Sequence, residues 1–158
     1  MKEIPLTRGV VAIVDDEDYA TLSFHKWCAT PIGRGNSFYA VRGVWSNGTT
    51  VRAYMHRVIL CPPSGMHVDH ISGDGLDNRR ANLRLATYAQ NNQNCRVYQN
   101  NKSGYKGVRW NRRDKRWLAE IRANGLRKYI GLFDSPAEAH AAYCAAAKEL
   151  HGEFARFA

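Results

Sequence analysis

Met66-His67-Val68-Asp69-His70-Ile71-Ser72-Gly73-Asp74-Gly75 and, a short interval later, Asn82-Leu83-Arg84-Leu85-Ala86-Thr87-Tyr88-Ala89-Gln90-Asn91 are the most informative segments of this 158-residue chain. Met66 to Ile71 has the composition of a strand. Ser72-Gly73-Asp74-Gly75 is a turn-rich loop, because Asp beside Gly suits turn geometry. Leu83-Arg84-Leu85 returns as a second strand. Thr87 and Gln90 have the spacing of a capping box, which starts a helix at Thr87 and puts Asn91 in its first turns. The order strand, strand, helix is therefore expected. Along it lie a carboxylate at Asp69, an imidazole at His70 and amides at Asn82 and Asn91. Carboxylate oxygen suits a hard divalent cation. An imidazole that titrates near neutrality suits a general base acting on water. The amide oxygens can hold a loop or complete a metal site.

Over residues 56–94 this pattern closely resembles the HNH nuclease family, in which a short β-hairpin and one helix clasp a single metal ion. The resemblance implies that Asp69 is the first metal ligand and His70 the general base. It makes Asn82 the residue that orients the histidine loop and Asn91 the second metal ligand. Asn82 follows His70 by 12 positions and Asn91 follows Asn82 by 9. Many relatives carry histidine at that last position. Asparagine moves the site toward oxygen ligation, so one Mg²⁺ or Mn²⁺ is expected rather than Zn²⁺.

Upstream, Val10 to Val14 reads as a strand, with Gly9 at the turn before it. Asp15-Asp16-Glu17-Asp18 reads as an N-cap followed by acids in the first turn of a helix, Asp16 to Lys26, rather than as a metal site. Phe38 to Arg42 and Thr50 to Tyr54 read as strands joined at Ser46-Asn47-Gly48. Residues 1–54 thus form a small β-rich layer that supports the motif. Met55 to Leu60 is a short helix ended by Pro62-Pro63. In HNH proteins with a Val-Asp-His-Ile core a His-Arg pair often precedes the motif, so Arg57 could hold a phosphate and His56 could lie behind the site. Equally, both could be the polar edge of a helix packed on the hairpin. His67 shares a strand face with Asp69 but is not read as a ligand. Asp77-Asn78 reads as the cap of a turn that includes Arg79 and Arg80. The polar, asparagine-rich residues 93–103 read as a linker.

Net charge is +9, which makes a polyanionic partner plausible. The charge is uneven: residues 1–95 carry 10 Lys/Arg against 8 Asp/Glu (+2), and residues 96–158 carry 13 against 6 (+7). None of Cys28, Cys61, Cys95 and Cys144 forms a Cys-x-x-Cys pair, which argues against a structural zinc. They read as reduced thiols, mostly small core residues, of a soluble intracellular protein. Neither a signal peptide nor an apolar run of membrane-spanning length is read in the sequence.

From Gly104 the pattern changes. Tyr105 to Trp110, Arg116 to Arg122 and Arg127 to Phe133 read as three strands, the last two joined at Asn124-Gly125. Alternation puts Trp117, Ala119 and Ile121 on a core face, and Arg116, Leu118, Glu120 and Arg122 on the other. Ser135-Pro136-Ala137-Glu138 combines an N-cap, a first-turn proline and a capping-box acid, and opens an alanine-rich helix that Gly152 ends. Tyr-Lys-Gly-Val-Arg, Ala-Glu-Ile-Arg, Ile-Gly-Leu-Phe and Ala-Glu-Ala-His-Ala-Ala-Tyr make residues 104–157 resemble the plant ethylene-response-factor DNA-binding domain, the Apetala-two type. Such domains lay a three-stranded sheet in the major groove. The resemblance implies DNA contacts from Lys106, Arg109, Glu120, Arg122, Arg127 and Tyr129, and Arg116 joins them on the charged face. The turn at Asn111 to Lys115 and the short hairpin at Ala123 to Leu126 depart from the plant pattern, so base identities do not transfer.

The expected fold class is α+β: an N-terminal β-rich layer with a ββα-metal motif, then a three-stranded antiparallel sheet packed on one helix. Residues 1–95 are the nuclease domain, with the ββα-metal motif at about 66–95, 96–103 the linker and 104–158 the DNA-binding domain. The expected function is that of a metal-dependent, site-directed DNA endonuclease of the free-standing homing type. As a monomer or homodimer it would act on double-stranded DNA, and one motif per chain would nick. The alternative is a non-catalytic, sequence-specific DNA-binding regulator on a vestigial nuclease scaffold.

Overall fold

The computed structural model of the chain describes residues 1–32, 37–97 and 100–157. These form an α+β structure of small antiparallel sheets and helices. It divides into two compact units, Met1–Thr87 and Tyr88–Ala158.

The first unit opens with a hairpin of β1 (Lys2–Pro5) and β2 (Val11–Val14). The sequence reading found β2 and missed β1, whose partner register buries Ile4 beside Ala12 and Val14. α1 (Asp16–Ser23) follows. It stops three residues before the expected Lys26, and Trp27 folds back to donate its indole N–H to the Leu22 carbonyl at 2.9 Å. The sheet β3 (Cys28–Pro31), β4 (Phe38–Ser46), β5 (Thr49–Tyr54) comes next, in that spatial order. Asn47 and Gly48 turn between β4 and β5, both with positive φ, as a two-residue hairpin loop requires. α2 (Met55–Leu60) runs directly off β5. The hairpin of β6 (His67–His70) and β7 (Leu83–Ala86) pairs Asp69 with Arg84 and His70 with Leu83. Its inner face adds Val68 and Leu83 to a core centred on Met55, Val14, Leu22 and Trp27.

The second unit begins with α3 (Tyr88–Gln93). The helix starts one residue after Thr87, as the capping-box spacing requires, but it groups with the C-terminal unit rather than with the hairpin before it. The compact-unit boundary therefore lies one helix upstream of residue 95. Within the expected linker, Tyr98 and Gln99 lie outside the described residues. Its last part is folded. The Asn101 side-chain oxygen accepts from the Ser103 amide (2.8 Å) and hydroxyl (2.6 Å), and the same hydroxyl lies 2.8 Å from the Val108 carbonyl.

β8 (Val108–Asn111), β9 (Arg116–Ala123) and β10 (Leu126–Phe133) make an antiparallel sheet with β9 central. β8 starts three residues after Tyr105, because Gly107 turns there with φ 73°. A side chain at Gly107 would overlap the Tyr143 ring, so that position combines a left-handed backbone with a close approach. α4 (Pro136–His151) covers the inner sheet face. Its Ser135 cap accepts from the Glu138 amide at 3.2 Å, and Ala139, Tyr143 and Ala147 pack beneath. No helix among the described residues is long and apolar enough to cross a membrane. Cys28 and Cys61 are exposed rather than core residues, and all four thiols are free.

Candidate active site and nucleic-acid interface

β6 ends at His70, and strand alternation sends its imidazole to the core side of the hairpin while Asp69 points to the other face. His70 is only 5% exposed. Its ring stacks on Tyr39 of β4 (5.7 Å between centroids, 24° between planes) and meets His56 of α2 edge-to-face (4.9 Å, 81°). Burial holds the His70 pKa below the ordinary 6.5, although Asn78 and the Asp69 carboxylate pull the other way. The imidazole is therefore mostly neutral at neutral pH, which is the protonation state a base needs. His56 is pushed further, to about 3, by burial and then by the neighbouring His70 and Arg57 charges. Its Nδ1 is buried without a hydrogen-bond partner. His56 thus lies directly behind His70. Arg57 is exposed on the same helix, its guanidinium 3.4 Å from the Met66 carbonyl, so it is available to a phosphate.

The loop between β6 and β7 is held from several directions. The Asn82 amide oxygen accepts from the Ser72 N–H at 2.9 Å, and its nitrogen donates to the Asp77 carbonyl at 2.7 Å. Asn82 therefore spans the loop from one end to the other. The His70 ring meets Asn78: Nε2 lies 3.4 Å from the Asn78 side-chain oxygen. Asp74 accepts from the Leu76 amide at 3.0 Å as a turn residue. Asp77 takes the Arg79 guanidinium at 2.7 and 2.6 Å, which lowers the Asp77 pKa. The acidic run read as an N-cap does further work. Asp18 holds Arg80 at 2.9 and 2.8 Å, and Asp15 accepts the Arg80 backbone N–H at 2.8 Å instead of capping α1. Gly75 allows the loop to lie on β4, since any side chain there would overlap the Phe38 carbonyl and the Tyr39 ring.

Asp69 is 5% exposed and paired with its cross-strand neighbour Arg84, whose Nε and one terminal nitrogen both lie 2.8 Å from Oδ2. Among the described residues no group of three or more His, Cys, Asp or Glu gathers as a metal site. One buried carboxylate with amide oxygens fits a hard cation that keeps water and takes its other ligands from a substrate phosphate. Such an ion would share Asp69 with Arg84. Asn91 lies on α3, in the second unit. His67 is half-buried on the Asp69 face.

In the second unit, paired register puts Arg109, Arg116, Glu120, Arg122, Arg127 and Tyr129 on one sheet face, away from α4. Glu120 sits between Arg109 and Arg127, 3.5 Å from each, and Arg116 pairs with Asp134 at 2.9 Å. Leu118 on the same face is buried between its cross-strand partners Arg109 and Leu132. Lys106 lies elsewhere. It precedes β8, and its ammonium donates to the Gln93 and Cys95 carbonyls at 2.6 and 2.7 Å. Burial lowers its pKa to about 8. It ties the end of α3 to the sheet module and is not part of the charged face.

The sequence reading missed Tyr39 and Tyr54 as walls of the histidine cluster and gave Asn78 only a capping role. A tyrosine at each end of the β4–β5 hairpin, just before the His-Arg pair, is the sequence signal that was available for the first two.

Comparison with known proteins finds two families along the chain. The HNH endonuclease family profile matches residues 61–93, and the AP2 domain profile matches residues 103–153. An uncharacterised HNH endonuclease of Acanthamoeba polyphaga mimivirus is 32% identical over 154 residues, 94% of this chain and 74% of that protein. Protein 3.8 of Escherichia phage T7 is 36% identical over 95 residues, 60% of this chain and 78% of that protein. No solved structure matches.

Proposed function

From a chain that belongs to the HNH endonucleases and ends in an AP2 domain, we infer a metal-dependent DNA endonuclease whose C-terminal sheet brings the cutting site to double-stranded DNA. The observation that carries this reading is His70: a buried imidazole fixed between Tyr39, His56 and Asn78, one residue from a buried carboxylate. In the proposed reaction His70 takes a proton from water. The water oxygen forms a bond to phosphorus, and the bond from phosphorus to the 3′ oxygen breaks. Asn82 keeps the loop behind His70 in place. Asp69 would hold a Mg²⁺ or Mn²⁺, with Asn91 as the second protein ligand that the family motif implies. Such an ion supplies Lewis-acid stabilisation to the phosphate and the leaving oxygen. Arg57 is suited to a neighbouring phosphate. On the sheet face, Arg109, Arg116, Arg122 and Arg127 supply positive charge, while Glu120 and Tyr129 add polar contacts. One motif per chain would nick a single strand, and a double-strand break would need a dimer or a second encounter. The free-standing homing role belongs to the same proposal.

Arg84 on Asp69 favours a second reading, a DNA-binding regulator with a vestigial site. Supercoiled plasmid incubated with the full chain, with and without Mg²⁺, separates the two. Nicking that needs the metal and is lost in His70→Ala is the expected result, with about 10²–10⁴-fold at stake for a positioned base. DNA binding with no nicking under any divalent cation would establish the regulator.

A further inference from the structure

Asn78 is fully buried, with relative exposure 0%. Its backbone is fixed, because its N–H donates to the Ile13 carbonyl at 2.8 Å and the adjoining Leu76 carbonyl accepts from the Ile13 N–H at 2.8 Å. Its side chain is fixed as well. The amide nitrogen lies 3.1 Å from the Leu76 carbonyl, an atom that can only accept. That contact requires the NH₂ group to face Leu76 and the amide oxygen to face His70. The oxygen lies 3.4 Å from His70 Nε2 and is itself only an acceptor, so Nε2 must carry the hydrogen. In a neutral imidazole the basic lone pair then belongs to Nδ1.

We propose that Asn78 is a positioning residue that fixes His70 as the Nε2–H tautomer and so makes Nδ1 its basic nitrogen. The chain of contacts runs from β2 through Ile13 and Leu76 to the Asn78 amide and then to the ring. The Tyr39 stack fixes the ring plane, and Asn78 fixes which edge carries the proton. This separates two asparagines in one loop. Asn82 holds the loop's backbone, and Asn78 holds the base. The tautomer assignment stands on these contacts alone. Its catalytic consequence rests on the reading of His70 as the base.

The test is two-bond ¹H–¹⁵N correlation NMR on the full chain, labelled at histidine nitrogen, metal-free and above pH 7.5. A protonated Nε2 with an exchange-protected hydrogen is expected for His70. In Asn78→Leu, which keeps the volume and removes the acceptor, that protection should fall by about tenfold or more, as loss of a protected hydrogen bond exposes the proton. The Trp27 indole resonance reports whether the first unit remains folded. A proton on Nδ1 in the wild-type chain overturns the proposal without any variant. A folded Asn78→Leu protein with unchanged tautomer and unchanged protection overturns it too. In kinetics, Asn78→Leu should lower the single-turnover nicking rate by about tenfold or more, part of a positioned base's 10²–10⁴, with DNA affinity unchanged. It should add no further loss in a His70→Ala background. If His70→Ala still nicks while the NMR result is as expected, the base reading fails and the tautomer assignment remains.

Discussion

Acidification from pH 7 to pH 5 should destabilise the first unit through His56, and His56→Phe should remove that component. His56 has an ordinary pKa of 6.5 and a folded value of about 3. A depressed histidine pKa means that the unfolded chain binds the proton first. Stability is therefore fully present above 6.5, falls as pH drops through that value, and stops falling near the folded pKa. The limiting slope is about 1.4 kcal/mol per pH unit, and the loss accumulated between pH 7 and 5 is about 2 kcal/mol. His70 is shifted in the same direction and adds to the loss. Asp77 is shifted down from an ordinary 3.8, so its stabilisation is lost only at lower pH. Urea unfolding at pH 7, 6 and 5, followed through the Trp27 indole resonance, isolates the first unit. Phenylalanine keeps a ring against Tyr39 and Tyr54, and it abolishes both the titration and the orphaned Nδ1. The variant should keep only the residual slope from His70. Superimposable pH profiles for the two proteins would refute the burial argument.

Arg84→Met should cost about 3–5 kcal/mol of first-unit stability at neutral pH by leaving a buried carboxylate without its partner, and added Mg²⁺ should restore more stability to the variant than to the wild type. A urea series with and without Mg²⁺ checks both. Gly107→Ala should destabilise the second unit by at least about 2 kcal/mol, since a left-handed backbone and an overfilled Tyr143 contact combine there; its thermal midpoint reads this. Lys106→Met should speed amide exchange in α3 and leave the salt dependence of DNA binding unchanged, whereas Arg109→Ala or Arg122→Ala should reduce it by about one phosphate's worth or relax sequence preference.

Elements punctuated by local chemistry were legible in the sequence. Asn47-Gly48 and Asn124-Gly125 each place two consecutive residues at positive φ, and the hairpins around them follow. Ser135-Pro136 and Glu138 start α4 where expected. β3 was not legible. Cys28-Ala29-Thr30-Pro31 has no alternation and ends in proline, and it becomes a strand because β4 supplies a partner at the sheet edge. β1 was not legible either: Gly9 reads as the turn before one strand, and the turn in fact links two. Lys106 shows the limit of transferring roles by position. The motif Tyr-Lys-Gly-Val-Arg puts it next to the sheet, yet the turn at Gly107 sends its ammonium to the carbonyls at the end of α3.

The candidate site divides along the same line. Asp69, His70 and Asn82 were nominated from the sequence, because their chemistry is tied to a spacing, and spacing survives in a one-dimensional string. Asn78 was not, because its role depends on contacts across 65 positions, where Ile13 fixes the backbone of a loop that ends at Asn82. The same is true of Arg80, whose partners Asp15 and Asp18 lie 65 and 62 positions away at the start of α1. Those long-range contacts tie the segment between β6 and β7 to β2 and the start of α1. On the proposed reading of His70 as the base, the segment packed beside it needs no ordering at the moment of reaction, which is the condition under which a positioned base contributes most. On that proposed reading the acidic run supports the base: each charge on α1 that fixes Arg80 also fixes the loop on which Asn78 meets His70.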